Sequence, residues 1–372
     1  MKPKLVIDTI SLLSSLTGIG RYTYEIAKSL KTDDTFELYF FYGYHSQILS
    51  TSLDSREIKK FKSFIVKIPL LKKIARKILN ISSVLFSPIY DLYWQPSLIP
   101  LKGIKAKKTI TSVHDFSFIL HKDFHPKERI EYFENNFFKN IYRSHMIITG
   151  SHYSKTEILQ RLQFSEDKVK VIYHGIDHSI FKIYDKFDLP FKLPKKFIFS
   201  VGSIEPRKNL LGLLRAYNDL SEQIRAEYKL VLAGFKGWEN KEIMQLITKN
   251  EQNIHYLGFI DDSELAKVYN LASLFVFPSF YEGFGLPPLE AMACGTPVVS
   301  SNLTSMPEVC QDAAIYCDPY NIVDIKQKIE LVLGDEVLQK KLISKGLKRA
   351  SEFSWQKSAQ MHLAVFKEVM ES

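Results

Sequence analysis

Residues 197–220 read FIFSVGSIEPRKNLLGLLRAYNDL, and this stretch decides the fold. Its first part, FIFSVGS (197–203), is an apolar run that predicts a buried β-strand, and the apolar periodicity of 207–220 predicts a helix. The same order of strand and helix recurs on both sides of it. Because such alternation is typical of parallel sheets covered by helices, we predict an α/β fold with two doubly wound domains facing across a cleft.

Further apolar runs predict strands along the rest of the chain. They are 5–10, 37–42, 91–96, 108–115, 145–151, 169–177, 229–235, 255–259, 273–279 and 296–301. Residues 178–196 contain two prolines and no clear periodicity, which is typical of a linker. With 372 residues the chain is long enough for two domains. We predict an N-terminal domain at 1–180, a second domain at 191–350, and a C-terminal helix at 351–372 that packs back on the first domain.

The composition is that of a globular protein, with 45% hydrophobic and 24% charged residues. No apolar run approaches the roughly 18 uncharged residues that a membrane-spanning helix requires. The three cysteines, Cys294, Cys310 and Cys317, have no zinc-ligand spacing and cannot form a disulfide framework, which fits a reducing cytoplasm. Asp-x-Asp is absent from the sequence, so we predict neither a metal ion nor a cofactor.

The basic residues are concentrated in the first half of the chain. Residues 1–190 carry 29 Lys and Arg against 19 Asp and Glu, whereas residues 191–372 carry 21 against 22. Nine of the basic residues lie between Arg56 and Lys77, interleaved with apolar ones. This pattern suits contact with an anionic membrane surface and equally suits the solvated face of a helix, and the sequence leaves both open. We predict no nucleic-acid binding, because no recognised motif accompanies the charge.

The strongest local motif is YEGFGLPPLE, residues 281–290. Its two prolines suit the first turn of a helix that Gly295 ends, so the Gly-Phe-Gly loop leads into a helix N-terminus that favours an anion. Glu282 and Glu290 flank the loop, and carboxylates are good acceptors for sugar hydroxyls. The layout therefore suits a nucleotide sugar, although Glu290 could also simply complement the helix dipole.

A second motif is the Arg207–Lys208 pair in the turn between strand and helix. Basic residues at a helix N-terminus oppose the helix dipole, which favours a diphosphate ligand over a merely solvated pair. The loop TGIGRY contributes Gly18 and Gly20, which allow close approach of backbone to a ligand but lack the third glycine of a dinucleotide-binding fingerprint. His114 ends a predicted strand and points into the same cleft, where a lone histidine is more often structural.

Together these motifs resemble a known family. EGFGLPPLE, with its Glu-x7-Glu spacing, is similar to the signature of family 4 retaining glycosyltransferases, which have two Rossmann-like domains in a glycogen-phosphorylase-like architecture. The resemblance extends, in the family's order over residues 5–320, to GIGRY, VHD, TGSHYSK, YHGID, VGSIEPRKN, LAG and LGF, with HGID in place of the frequent NGID. The chain resembles in particular the bacterial mannosyltransferases of surface-polysaccharide synthesis.

The resemblance implies a metal-independent enzyme that transfers a hexose from a nucleotide diphosphate sugar, with mannose from GDP-mannose as the best match. It implies that Arg207 and Lys208 stabilise the departing diphosphate, that Glu282 binds the transferred sugar, and that Glu290 binds the ribose. It places His114 near the reacting carbon. The implied catalytic residues are His114, Glu282, Arg207 and Lys208, and the implied donor-binding residues are Gly18, Gly20, Gly202, Arg207, Lys208, Leu257, Gly283, Phe284, Gly285, Leu286 and Glu290.

In this architecture the N-terminal domain receives the acceptor. A glycan or polyprenyl-linked acceptor is therefore implied, as is a cytoplasmic enzyme with peripheral contact to the inner face of the plasma membrane through residues 56–77. A sugar-nucleotide epimerase or hydrolase on the same fold is the alternative, but it would not need the Glu282 and Glu290 pair in this form. A basic nucleic-acid-binding protein would leave the motifs of the second half unexplained, and a dehydrogenase lacks its complete glycine fingerprint.

Overall fold

The computed structural model describes residues 1–13, 18–51, 88–235, 237 and 241–372. The basic segment 56–77 lies outside the described residues, so its membrane contact stays a prediction. In the described part of the chain, none of the helices combines the length and apolar character needed to cross a membrane.

Strands of the first half form one sheet. They are β1 (Lys4–Asp8), β2 (Glu37–Phe41), β3 (His45–Ser46), β4 (Ile89–Gln95), β5 (Lys105–Ser112), β6 (Met146–Thr149) and β7 (Val169–Val171). Their order across the sheet is β3-β2-β1-β4-β5-β6-β7. Neighbouring strands are parallel except for β2 and the short edge strand β3, which are antiparallel.

Strands of the second half form a separate, wholly parallel sheet. They are β8 (Phe197–Val201), β9 (Lys229–Ala233), β10 (Ile254–Tyr256), β11 (Leu274–Phe277), β12 (Val298–Ser301) and β13 (Ile315–Cys317). Their order is β10-β9-β8-β11-β12-β13. In each sheet the strand order runs outward in one direction from the first strand and then continues on its other side, between β1 and β4 and between β8 and β11. Ligands of doubly wound domains bind at the carboxyl ends of the strands at such a point.

Helices cover both sheets. They are α1 (Ile19–Leu30), α2 (Ser117–Leu120), α3 (Lys127–Ile141), α4 (His152–Arg161), α5 (Leu210–Asn218), α6 (Glu222–Glu227), α7 (Lys241–Lys249), α8 (Asp262–Leu271), α9 (Leu286–Ala293), α10 (Met306–Cys310), α11 (Ile322–Gly334), α12 (Glu336–Ser351) and α13 (Trp355–Glu371). The cores of the two sheets consist of aliphatic and aromatic side chains, as expected for parallel strands covered on both faces.

Helix α13 follows the second domain in the chain but packs on the first. Its buried residues Trp355, Val365 and Phe366 belong to the same apolar cluster as Leu5, on β1, and Ile26, on α1. The ring of Phe366 lies 5.6 Å from that of Trp94, measured between ring centroids. Each large apolar side chain buried in this way stabilises the fold by about 1.5–3 kcal/mol, so α13 is an integral part of the first core.

The fold class predicted from the sequence is confirmed, with differences at the ends of elements. The strand predicted at 108–115 is Lys105–Ser112, because pairing with β4 begins at Lys105 opposite Ile89. The helix predicted at 207–220 begins only at Leu210, because Asn209 has a left-handed backbone with φ of 53° and interrupts it. The sequence did not predict β3 and β13, since strands of two or three residues carry no readable periodicity.

Candidate active site

A cavity of about 500 Å³ lies between the two sheets at the carboxyl ends of their strands. Both halves of the chain line it. The predicted site residues that line it are Gly18, His114, Gly202, Arg207, Lys208, Glu282, Gly283, Phe284, Gly285, Leu286 and Glu290. Gly20 and Leu257 are not among its described lining residues. Gly20 is buried within α1, and the backbone N–H of Leu257 donates to the carbonyl oxygen of Leu232 at 2.8 Å.

The loop before α9 brings two backbone segments close together. Gly285 has φ of 99° and precedes the helix, a left-handed conformation that favours glycine. At Gly283 a Cβ atom would come within 2.0 Å of the carbonyl oxygen of His114, so only glycine fits there. The hydroxyl of Ser151 donates to the carbonyl oxygen of Gly283 at 2.7 Å, and its own oxygen caps α4 by accepting from the backbone N–H of Ser154. The loop thus joins the two sheets directly.

Arg207 and Lys208 form a compact ionic cluster with Glu282. Nη1 of Arg207 lies 2.9 Å from Oε2 of Glu282, and Nζ of Lys208 lies 2.6 Å from Oε1 of the same carboxylate. Nη2 of Arg207 also pairs with Glu205 at 2.9 Å. The arginine and lysine side chains are each only 16% exposed. Two nearly buried cations therefore stand side by side at the cavity wall.

The backbone that presents these cations is held by Asn209, which the sequence reasoning did not single out. Its side-chain oxygen accepts from the N–H of Gly212 and caps α5, while Nδ2 donates to the carbonyl oxygens of Pro278 at 3.1 Å and Pro319 at 2.7 Å. An asparagine tolerates the left-handed conformation better than most residues and can bond the surrounding backbone. The only sign of this role in the sequence is that Asn209 directly follows Arg207 and Lys208, where the predicted strand passes into the predicted helix.

The charge state of Glu282 follows from its neighbours. Burial alone would raise its pKa, but the charges of Arg207 and Lys208 outweigh burial and lower the pKa to about 2. Burial and the neighbouring Arg207 lower the pKa of Lys208, while Glu282 opposes them. Glu282 is therefore fully ionised at neutral pH and able to accept hydrogen bonds from hydroxyl groups.

Glu290 lies in a different ionic cluster that spans the cleft. Nη1 of Arg21, on α1, lies 3.2 Å from Oε1 of Glu290, and its Nη2 pairs with Asp262 at the start of α8. The hydroxyl of Tyr269 donates to Oε2 of Glu290 at 3.3 Å. Burial raises the pKa of Glu290 to about 7, and Arg21 only partly opposes this. Arg21 and Asp262 were missed, although Arg21 directly follows the glycines of the GIGRY loop.

His114 extends into the cavity from the end of β5 and is held in one tautomer. Its Nε2 lies 2.7 Å from the carbonyl oxygen of Pro96 and must carry the proton, since a carbonyl only accepts. Burial lowers the pKa of His114, so the ring is neutral and its Nδ1 has a free lone pair. The ring of Tyr22 meets it edge-on, with ring centroids 4.9 Å apart.

Tyr22, which was also missed, anchors this part of the wall through a directed chain of hydrogen bonds. Nδ1 of His362 donates to the carbonyl oxygen of Ser358 at 2.7 Å, and burial lowers the pKa of His362 to about 4. Its Nε2 therefore accepts from the Tyr22 hydroxyl at 2.6 Å. The Tyr22 oxygen in turn accepts from Ser112 at 2.8 Å, and Ser112 accepts from Nε1 of Trp94 at 3.0 Å.

Two aromatic side chains stand at the rim of the cavity on the second domain. The rings of Phe235 and Phe259 stack with centroids 4.4 Å apart and planes inclined by 19°. They remain 39% and 54% exposed, which is unusual for large apolar side chains and leaves ring faces available for a planar group. Phe259 belongs to the LGF segment, residues 257–259, in which the family resemblance implies that Leu257 binds the donor. In the described part of the chain, no group of three or more His, Cys, Asp or Glu side chains is arranged to hold a metal ion.

Comparison with solved structures confirms the fold of two Rossmann-like domains. The chain superposes on sucrose-phosphate synthase from Thermosynechococcus elongatus with a TM-score of 0.72 and 17% identity, and each chain is covered in full. It superposes on HepE of Anabaena in complex with UDP-glucose with a TM-score of 0.70 and 18% identity, covering 98% of this chain and 100% of the other.

The sequence comparisons define the family. Residues 16–180 match the family described as Glycosyltransferase Family 4, and residues 182–349 match Glycosyl transferases group 1. The chain is 32% identical to O-antigen chain mannosyltransferase B of Escherichia coli over 98% of this chain and 99% of that protein. The chain therefore belongs to glycosyltransferase family 4, and it is a glycosyltransferase.

Proposed function

We propose that the protein is a retaining mannosyltransferase that moves mannose from GDP-mannose to a glycan acceptor in the synthesis of a cell-surface polysaccharide. The full-length similarity to an O-antigen mannosyltransferase supports the sugar and the pathway class. The observation that carries the chemistry is the pair of nearly buried cations, Arg207 and Lys208, at a cavity that also receives the N-terminus of α9. Such a site stabilises a departing diphosphate without a metal ion.

In the proposed reaction, the bond between the sugar's C1 and the β-phosphate oxygen breaks as the acceptor oxygen bonds to C1. The leaving phosphate oxygen takes the proton of the acceptor hydroxyl, so atoms and charge balance without a protein nucleophile. Arg207 and Lys208 bind the developing diphosphate charge, and Glu282 exchanges contacts with these cations for the hydroxyls of the mannose. Nδ1 of the neutral His114 ring accepts a hydrogen bond from a hydroxyl group of the sugar.

The remaining donor contacts follow the walls of the cavity. Glu290 binds the ribose hydroxyls, the backbone of residues 283–286 contacts sugar and phosphate, and the segment 257–259 passes along the base. Gly18 and Gly202, which both line the cavity, allow close approach of backbone to the donor. We assign donor binding to the second domain, residues 191–350, and acceptor binding to the first, residues 1–180.

The test is a thermal-shift panel of GDP, UDP and ADP and their sugars, each with and without EDTA, followed by product analysis. We expect stabilisation by GDP and GDP-mannose that EDTA does not change. With GDP-mannose and a mannose-terminated oligosaccharide on a hydrophobic aglycone, NMR of the product should show an α-linked mannose, as in the donor. A β-linked product would contradict retention, and stabilisation by UDP alone would contradict the guanosine donor.

The acceptor is proposed to be lipid-linked, with peripheral membrane contact through residues 56–77. The support is the nine basic residues of that segment, each worth about 1 kcal/mol near an anionic surface. Replacing Lys72, Lys73, Arg76 and Lys77 by glutamine should abolish cosedimentation with phosphatidylserine vesicles. The matched control replaces four exposed lysines of the second half of the chain, and equal loss in both variants would contradict a specific segment. These control residues are Lys249, Lys340, Lys341 and Lys348.

A further inference from the structure

Arg21 reaches across the cleft between the two domains. It lies in the first turn of α1, on the first sheet, yet its guanidinium contacts two carboxylates of the second domain, Glu290 and Asp262. The side chain is only 16% exposed, and its guanidinium carbon lies 5.8 Å from the ring centroid of Phe181. A long cationic side chain held in this way is pre-organised for the groups it meets.

The contacts of Glu290 leave room for a ligand. Its Oε1 accepts from Arg21 at 3.2 Å, and its Oε2 accepts from the Tyr269 hydroxyl at 3.3 Å. An ionised carboxylate has about four acceptor positions, so two positions stay available for hydroxyl groups that enter from the cavity. Arg21 and Tyr269 thus each hold one oxygen of the carboxylate, one from each domain.

We propose that Arg21 is a positioning residue for the ribose of the nucleotide donor: it fixes the Glu290 carboxylate, so that a residue of the first domain supports ribose binding by the second. This rests on the proposed function, in which Glu290 binds the ribose hydroxyls. Arg21 acts through Glu290 and does not itself contact the reacting atoms.

The electrostatics of Glu290 support this role. The titratable groups that face its carboxylate are Arg21 from α1, Asp262 and Tyr269 from α8, and Cys294 at the end of α9. Burial raises the pKa of Glu290 to about 7, Arg21 lowers it, and Asp262 raises it. Arg21 is the cation among these groups, so without it the carboxyl would hold its proton to higher pH and would accept ribose hydroxyls less well.

The experiment compares GDP with 2′,3′-dideoxy-GDP by isothermal titration at pH 7.5, for the wild type and Arg21→Met. Both ligands carry the same base and diphosphate, so their affinity ratio reports only the ribose hydroxyls. The wild type should prefer GDP by about 10- to 100-fold, as for hydrogen bonds to a charged group. Arg21→Met should lower GDP affinity about tenfold and affinity for the dideoxy ligand less than about twofold.

Three further measurements separate positioning from other roles. Arg21→Lys keeps the charge and should restore part of the preference for GDP. In Arg21→Met the preference should recover between pH 7.5 and pH 9, as Glu290 loses its proton. In a Glu290→Gln background, Arg21→Met should cause little additional loss. Arg215→Met, which removes an exposed ion pair with Glu242, is the matched control and should bind both ligands like the wild type.

The outcomes distinguish this inference from the function on which it rests. Equal weakening of both ligands by Arg21→Met would overturn the inference and show that the cation serves the diphosphate. An unchanged preference for GDP would also overturn it. If the wild type bound only UDP, the same comparison would be made with UDP and its dideoxy analogue, and only the guanosine assignment would fail. If the wild type bound no nucleoside diphosphate, the proposed function itself would fail.

Discussion

Glu282 and Glu290 are the same residue type, lie eight positions apart, and are both buried beside one cavity, yet they differ in charge state. The pKa of Glu282 is lowered to about 2, whereas that of Glu290 is raised to about 7. Both carboxyls are subject to the same penalty of burial. The difference comes from the ratio of cations to carboxylates around each group.

Glu282 receives two cations, Arg207 and Lys208, one on each oxygen. Glu290 receives one cation, Arg21, which it shares with Asp262. The first cluster therefore holds its carboxylate ionised whatever the pH of the cell, and the second holds a carboxyl that titrates near neutrality. A Glu-x7-Glu motif in a sequence gives the positions of two carboxyls but not their charges.

The largest expected effect comes from removing a cation of the Glu282 cluster. Arg207→Met should lower kcat for mannosyl transfer about 10²- to 10³-fold, or about 3–4 kcal/mol, because a developing charge on the diphosphate loses one pre-organised donor. Steady-state kinetics with GDP-mannose measure this. Arg215→Met, in an exposed ion pair, is the control. Near-normal turnover of Arg207→Met would show that the cluster is structural only.

The second effect appears in stability and tests the two charge states directly. The folded-state pKa of Glu290 lies above its ordinary value of 4.5, so its contribution to stability is complete below about pH 4.5 and is lost as the pH rises to about 7. We compare the free energy of unfolding of the wild type with that of Glu290→Gln. The difference between them should fall by about 2 kcal/mol, to the disadvantage of the wild type, between pH 5 and pH 8. Urea unfolding at the two pH values measures it.

Glu282→Gln provides the contrast in the same experiment. The pKa of Glu282 is lowered from 4.5 to about 2, so the stability that depends on its ionisation is lost only as the pH falls from about 4.5 to about 2. Its difference from the wild type should therefore stay constant between pH 5 and pH 8. Parallel pH dependence of the two variants would refute the contrast between the glutamates.

A smaller loss of activity is expected from replacing His114, which lines the cavity but is not bonded to either glutamate. His114→Ala should lower kcat about tenfold, as for the loss of one neutral hydrogen bond, and should leave GDP affinity within about twofold of the wild type. Since the pKa of His114 is lowered, the activity of the wild type should not follow its titration above pH 6.5. A loss of GDP affinity as large as the loss of kcat would place His114 at the nucleotide instead.

The smallest effect should come from Asp262, whose side chain is 40% exposed. In Asp262→Asn, Arg21 pairs with Glu290 only, and the negative charge of Asp262 is removed. Both changes lower the pKa of Glu290, so Glu290 is more fully ionised at neutral pH, as Glu282 is. GDP affinity at pH 7 should rise by about twofold, within the range of a partly exposed charge pair. Titration calorimetry at pH 7 and pH 8.5 measures the gain, which should vanish at the higher pH. A gain that persisted at pH 8.5 would argue against titration of Glu290.

Much of the fold could be predicted because its signals are local. The apolar runs and the strand–helix alternation indicated both sheets, and the glycines and prolines at 281–290 indicated the loop and the helix that follows it. The Arg207–Lys208 pair was identified because basic residues are unexpected at a helix N-terminus. These patterns depend on neighbouring residues and so can be read from one sequence.

The remaining features depend on contacts between distant parts of the chain. Arg21 meets a carboxylate 269 positions away, and Tyr22 meets an imidazole 340 positions away. Neither residue differs in the sequence from an ordinary helix residue that follows a glycine loop. The charge state of Glu290 depends on burial and on Arg21 together, and neither is encoded within the motif itself.

The position of α13 has a consequence for synthesis on the ribosome. Domains usually fold in the order in which they are made. Here the first core is completed by Trp355, Val365 and Phe366, which emerge only after residues 172–354 have been translated. The first domain must therefore wait, with apolar surface around Leu5 and Ile26 uncovered, while the second domain is made. A nascent chain of this protein should accordingly depend on chaperones for longer than its domain order suggests.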